Sequence, residues 1–183
     1  MKPQTTQELQ ALTELLDLEE FEVVEATVER DPKGRKLRRL TVIPRMDAGL
    51  CPHCGGVCGE RHRCRDYTVS DLPLGSWATQ LVVRLNQYRC EACDKFFTPS
   101  CRALAPGAHA TERLLGRAAD LVAHSDVAAA AAFFGLAEKT LEGWYYDYLQ
   151  RQQKQSAQGL KPVKSLGVDE LSLKKGTGSS AVC

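Results

Sequence analysis

The chain has 183 residues, of which 43% are hydrophobic, 26% charged and 7% aromatic, so neither wholesale disorder nor a fibrous repeat fits it. Lys and Arg number 24 against 23 Asp and Glu, a formal charge of +1, which excludes a uniformly basic coat but leaves room for a basic patch. The longest apolar run, Val127–Leu136, falls well short of the roughly 18–20 residues that span a bilayer, and the acidic N-terminus has no apolar signal core. A cytoplasmic protein is therefore expected, and its 8 Cys read as metal ligands or reduced thiols before disulfides.

In chain order, Thr5-Thr6-Gln7-Glu8 has the spacing of a capping box, and Leu9, Leu12, Leu15 and Leu16 then suggest a short amphipathic helix. Charge is unevenly sorted here. Residues 1–30 hold Lys2 and Arg30 against eight acids, whereas Lys33–Arg45 holds Lys33, Arg35, Lys36, Arg38, Arg39 and Arg45 with no acid. Asp31-Pro32-Lys33-Gly34 between them is a turn sequence, and its flanks, Phe21–Glu29 and Lys36–Ile43, are rich in β-formers, so a hairpin is expected. Two readings of its basic strand stand: a solvated, salt-bridged edge, or a phosphate-facing one on which Arg38 and Arg39 would touch a nucleic-acid backbone.

The strongest chemical signal is Cys51-Pro52-His53-Cys54-Gly55-Gly56 followed by Cys90-Glu91-Ala92-Cys93. Each C-x-x-C turn points two thiolates at one ion. Two such knuckles supply the closed tetrahedral set of a structural zinc, with no open position for catalysis. Strands over Val69–Leu74 and Ala78–Tyr88 would bring the knuckles together by doubling back, giving a zinc-ribbon-like module. Cys58, Cys64, Cys101, His53 and His62 are rival ligands with less knuckle-like spacing. Arg61, Arg63, Arg65, Arg84 and Arg89 lie in or beside this module. Arg63 and Arg65 are the expected phosphate contacts; plain solvation is the other reading.

From Thr111 the period becomes helical. A helix capped by Thr111 carries Leu114, Leu115, Ala118, Leu121 and Val122 inward, a second starts at Ser125 or Asp126 and breaks at Gly135, and a third runs Glu138–Gln155. Ala131, Gly135, Leu141 and Trp144 have the spacing of a helix-turn-helix, with Lys139, Thr140, Glu142 and Gly143 on the exposed face of its second helix. An ordinary helical bundle fits the same pattern. Five basic against six acidic residues over Thr111–Gln155 make a weak footprint for DNA, so help from other parts is required. Leu166, Val168, Leu171 and Leu173 suggest a last strand carrying Asp169 and Glu170.

The order of these stretches resembles the ISL-three-type insertion-sequence transposases, bacterial mobile-element enzymes. Four segments carry the resemblance: Cys51–Gly55; Asp71-Leu72-Pro73-Leu74-Gly75 through Cys90–Cys93 to Phe96-Phe97-Thr98; Val127–Trp144; and Gly167–Gly176. It implies a zinc finger and helix-turn-helix that bind terminal inverted repeats of double-stranded DNA, then a ribonuclease-H-like domain whose Asp-Asp-Glu triad works with Mg2+. By this resemblance Asp169 is the first triad carboxylate. One carboxylate cannot hold the two ions of phosphoryl transfer, so the expectation for these 183 residues is a catalytically incomplete DNA-binding front end. It would be nucleoid-associated and able to pair with itself or with intact transposase. The expected architecture is α+β: helix and basic hairpin over 1–48, zinc ribbon over 49–104, helix-turn-helix over 108–155, and linker with an unfinished catalytic strand over 156–183. The rival function is a zinc-ribbon and helix-turn-helix regulator or interaction module unconnected with transposition.

Overall fold

A computed structural model describes residues 4–31, 34–46 and 48–157. Asp169 and the strand expected around it lie outside the described residues, as do Pro32 and Lys33 of the hairpin turn. The described part is mixed α+β: α1 (Thr6–Leu16), β1 (Phe21–Arg30), β2 (Lys36–Pro44), β3 (Gly49–Leu50), β4 (Val57–Cys58), β5 (Arg61–Leu74), β6 (Trp77–Arg89), β7 (Phe96–Phe97), α2 (Glu112–His124), α3 (Val127–Phe134) and α4 (Glu138–Ala157).

Helix α1 starts at a full capping box. The Thr5 hydroxyl accepts from the Glu8 N–H at 3.3 Å, and the Glu8 carboxylate accepts from the Thr5 N–H at 2.8 Å. Leu9, Leu12 and Leu16 face the sheet, but Leu15 is 71% exposed. The fourth inward place belongs to Thr13, which sits one turn below Leu16. Its hydroxyl accepts from the Val23 N–H at 2.9 Å and donates to the Leu9 carbonyl, so it serves the backbone of β1 as well as the helix.

The hairpin forms as read, with β1 antiparallel to β2. What adjacency in sequence did not suggest is the next pairing: β2 lies parallel to β6, so the sheet order is β1-β2-β6-β5, with β7 beside the far end of β6. Segments 1–48 and 49–104 thus contribute strands to one sheet. Its inner face is built by alternation: Leu40 and Val42 on β2, and Leu81, Val83 and Leu85 on β6, with Phe21, Val23 and Val69 beside them under α1. Strand β5 begins at Arg61, eight positions before the expected start at Val69. Residues Arg61–Thr68 are all exposed, so they carry no burial period to read. Backbone pairing to β6 makes them a strand.

The three later helices close on their own core of Leu114, Leu115, Ala118, Ala130, Ala131, Phe134 and Leu141, flanked by Trp144 and Tyr148. Asp126, not Ser125, caps α3, accepting from the Ala129 N–H at 2.7 Å, while the Ser125 hydroxyl donates back to Leu121. Gly135 ends α3 in the left-handed region at φ 69°, and the Leu136 N–H returns to the Ala131 carbonyl at 2.9 Å, closing the helix end. Helical unit and sheet are joined by Asp71, whose side chain is fully buried. It accepts from the Thr111 hydroxyl at 2.6 Å and from two nitrogens of Arg113 at 2.9 and 2.5 Å. The remaining Arg113 nitrogen donates to the Leu16 carbonyl at the end of α1.

Candidate metal centre and nucleic-acid surface

The β5–β6 hairpin doubles back through the turn at Gly75, pairing Arg61 with Tyr88, and so sets the two cysteine knuckles side by side. The knuckles repeat one geometry. The Cys51 N–H donates to the Gly56 carbonyl and the Gly55 N–H to the Cys51 carbonyl; likewise the Cys90 N–H donates to Lys95 and the Asp94 N–H to Cys90. The residue after the second cysteine needs a left-handed backbone in both: Gly55 at φ 74° and Asp94 at φ 53°. Asp94 bears that conformation without being glycine, and its carboxylate accepts from Arg89 at 2.7 Å. The matching positions after C-x-x-C were the signal that would have revealed it.

The sulfurs of Cys51, Cys54, Cys90 and Cys93 all lie within 4.8 Å of one another. Across the knuckles, Cys51 Sγ is 3.6 Å from Cys93 Sγ and Cys54 Sγ is 3.4 Å from Cys90 Sγ. A tetrahedron with metal–sulfur bonds of about 2.3 Å has edges of about 3.8 Å, whereas a disulfide needs about 2.05 Å. The spacing therefore fits four thiolates around one ion and no bridge. Among the described residues this is the group of three or more such side chains placed to share a metal.

The thiols also differ in how readily they ionise. The Cys93 N–H donates to the Cys90 sulfur and outweighs burial there, drawing that thiol down to about 6. At Cys51 burial opposes ionisation, but the N–H groups of His53 and Cys54 prevail and the pKa is lowered. Burial pushes Cys93 up to about 12, and Cys54 is raised, its backbone donor from Gly56 overcome by the neighbouring sulfurs of Cys90 and Cys51. The first cysteine of each pair is shifted toward the thiolate and the second toward the thiol, whose proton must give way to a cation. Cys58 is a buried neighbour pushed up to about 11 by burial, packed with Tyr88 and Phe97. Cys64 is exposed on β5, Cys101 packs beside the sheet core, His53 is exposed, and the His62 ring lies tilted against Phe96 with centroids 4.5 Å apart.

The expected nucleic-acid contacts fall into three places. On the exposed ribbon, Arg63 and Arg65 share a face with Tyr67. Arg63 donates to Gln87 at 2.7 Å, and neither arginine has an ion-pair partner among the described residues. Arg84 and Arg89 are instead paired, with Asp66 at 3.1 Å and Asp94 at 2.6 Å. On the basic hairpin, alternation separates the two candidates: Arg39 pairs with Glu29 at 3.2 Å, while Arg38 lies 5.5 Å over the Trp77 ring. On α4, Lys139, Thr140, Glu142 and Gly143 are all exposed in the first two turns, and Leu141 between them is buried against α3.

A sheet joined to a three-helix unit, with four thiols that could hold one metal ion converging at the free end of an arginine-bearing ribbon, defines a mixed α+β protein. The chain is 29% identical over 150 residues, 80% of its length, to the transposase for insertion sequence element IS1001 of Bordetella parapertussis, which makes it a distant relative of a transposase. That stretch is 35% of the relative's own length. No family model matches the chain, and no solved structure matches it. No helix among the described residues is long and apolar enough to cross a membrane.

Proposed function

We propose that the chain is the DNA-binding part of an insertion-sequence transposase of the ISL-three type, holding one structural Zn2+ and binding the terminal inverted repeats of its element as duplex DNA. The carrying observation is the distant match to a transposase over 80% of a chain whose cysteines have the geometry of a closed four-sulfur site. In this reading the ion ties the free end of the ribbon, so that Arg63 and Arg65 stand on a rigid support. The α3–turn–α4 segment acts as a helix-turn-helix, and Lys139, Thr140, Glu142 and Gly143 face a major groove. Phosphate contacts supply most of the affinity and α4 the sequence preference. Asp169 is then the first carboxylate of the strand-transfer site, where Mg2+ acts, and pairing with further transposase copies brings two element ends together.

The test is a titration of the zinc-loaded chain with a labelled duplex of the element's terminal repeat, repeated across salt concentrations. Binding that weakens steeply with salt, and more weakly for a scrambled duplex, supports the reading. No binding with zinc present, or binding indifferent to salt, defeats it.

A further inference from the structure

The hairpin sorts its charges by face. Antiparallel register sets Arg30 directly opposite Lys36, and Arg38 follows Lys36 on the same face. On the other face Glu29 lies opposite Leu37, pairs with Arg39, and leaves no carboxylate for the first three. Among the described residues Arg30, Lys36 and Arg38 have no ion pair; Arg30 donates only to the Gly34 carbonyl at 2.9 Å. The nearby acid is engaged elsewhere, because Asp31 grips Arg35 at 2.6 Å. Like charges directly opposite on a sheet repel. Here they are gathered rather than dispersed: the Lys36 ammonium sits 4.9 Å and the Arg38 guanidinium 5.5 Å from the centroid of the same Trp77 ring.

The position of this cluster matters as much as its charge. Arg35, at the hairpin tip, donates from Nη1 to the Gly135 carbonyl at 2.7 Å, at the end of α3 and the start of the turn into α4. That carbonyl belongs to a helix C-terminus, where the backbone dipoles favour a cation. One guanidinium thus spans from Asp31 in the hairpin to the turn of the helical unit, one hundred residues away.

We infer that Arg30, Lys36 and Arg38, gathered on Trp77, form a phosphate-binding site beside α4, and that the hairpin supplies the positive charge that the helical unit lacks. The site takes backbone phosphates of the same duplex whose groove α4 faces, so it rests on the proposed DNA-binding function. Two cations on one indole and a third across the strand pair relieve their mutual repulsion when a phosphate enters, an electrostatic gain independent of base sequence.

The zinc-loaded full chain is titrated with a labelled duplex of the element's terminal repeat at several salt concentrations, beside Lys36→Gln/Arg38→Gln, Trp77→Leu and, on the opposite face, Arg39→Gln. Glutamine keeps the stems packed on the indole, and a wild-type melting temperature verifies the fold. Loss of two phosphate contacts should lower the slope of log affinity against log salt by about 1.8. We expect the double variant to bind on the order of tenfold to a hundredfold more weakly near physiological salt, Trp77→Leu severalfold more weakly, and Arg39→Gln like the wild type. Wild-type slope and affinity in the double variant, or an equal loss in Arg39→Gln, overturn this site while leaving the DNA-binding function standing. Absence of binding by the unaltered chain overturns both.

Discussion

At the scale of single residues, the chemistry of the candidate centre is set by which atom each sulfur faces. Turn N–H groups lower the pKa of Cys51 and draw that of Cys90 down to about 6, whereas Cys93 keeps its proton until a cation replaces it. Binding the metal therefore releases protons, and affinity must fall on acidification, about tenfold per pH unit for each proton displaced. The sign follows from the shifts: Cys93, raised to about 12, is protonated throughout the neutral range, and Cys90, at about 6, joins it below pH 6. Competition with a chromophoric chelator between pH 5.5 and 8 should show affinity rising with pH and steepest at the acid end. Cys51→Ser or Cys90→Ser should each reduce bound zinc from one equivalent to near none by elemental analysis. Gly55→Ala, at φ 74° with open space around its Cβ, should retain zinc and lower stability by about 1 kcal/mol, read from chemical denaturation.

At the scale of elements, two polar ties set the helical unit against the sheet. Asp71 is the stronger, because its buried carboxylate has the Thr111 hydroxyl and a two-pronged Arg113 as partners, and Arg113 also holds the end of α1. Removing one side of such a pair strands the other charge. Asp71→Ala should cost about 3–5 kcal/mol in denaturant unfolding, far beyond the effect of an exposed pair such as Arg117 with Asp120. Gly135 is the second point. A Cβ there would lie 2.6 Å from Arg35 Nη1 on a backbone at φ 69°, so Gly135→Ala has both strain and collision to relieve. A loss of at least about 1 kcal/mol is expected by the same measurement, with Arg35→Ala in the same chain recovering the collision part only.

At the scale of the whole molecule, the described residues form three apolar clusters of unequal independence. The sheet core under α1 and the helical core each hold a set of fully buried Leu, Val or Phe side chains. The third, at the end that carries the cysteine knuckles, consists of Cys51, Cys58, Tyr88, Cys90 and Phe97, and three of its five members are thiols. So little apolar area cannot order β3, β4 and β7, two residues each, against the entropy of fixing them. An ion held by the four cysteines would supply the missing order there. Chelation should therefore abolish amide-exchange protection over residues 49–58 and 88–97 while residues 40–42, 81–83 and 114–118 stay protected. Loss of protection everywhere at once would show that the centre supports the entire fold.

Local patterns were legible because their causes are local. Capping at Thr5 and Thr111, the break at Gly135, the alternation Leu81-Val83-Leu85 and the paired C-x-x-C turns each depend on neighbours within a few positions, and all can be read from the order of residues alone. The convergence of the four sulfurs was legible too, since an antiparallel return brings its two ends together whatever fills the loop. The tertiary structure decided what depends on distant partners. Thr13 replaced Leu15 because the helix face is chosen by the strand beneath it. The parallel β2–β6 pairing, the exposed start of β5, the Arg113 anchor for Asp71 and the indole under Lys36 and Arg38 all bind residues some forty or more positions apart, or lack any burial period. Charge counted along the chain distinguished an acidic strand from a basic one but not which face of the hairpin each side chain takes. Only the pleat, by turning alternate side chains to opposite faces, separated a compensated side from an uncompensated one.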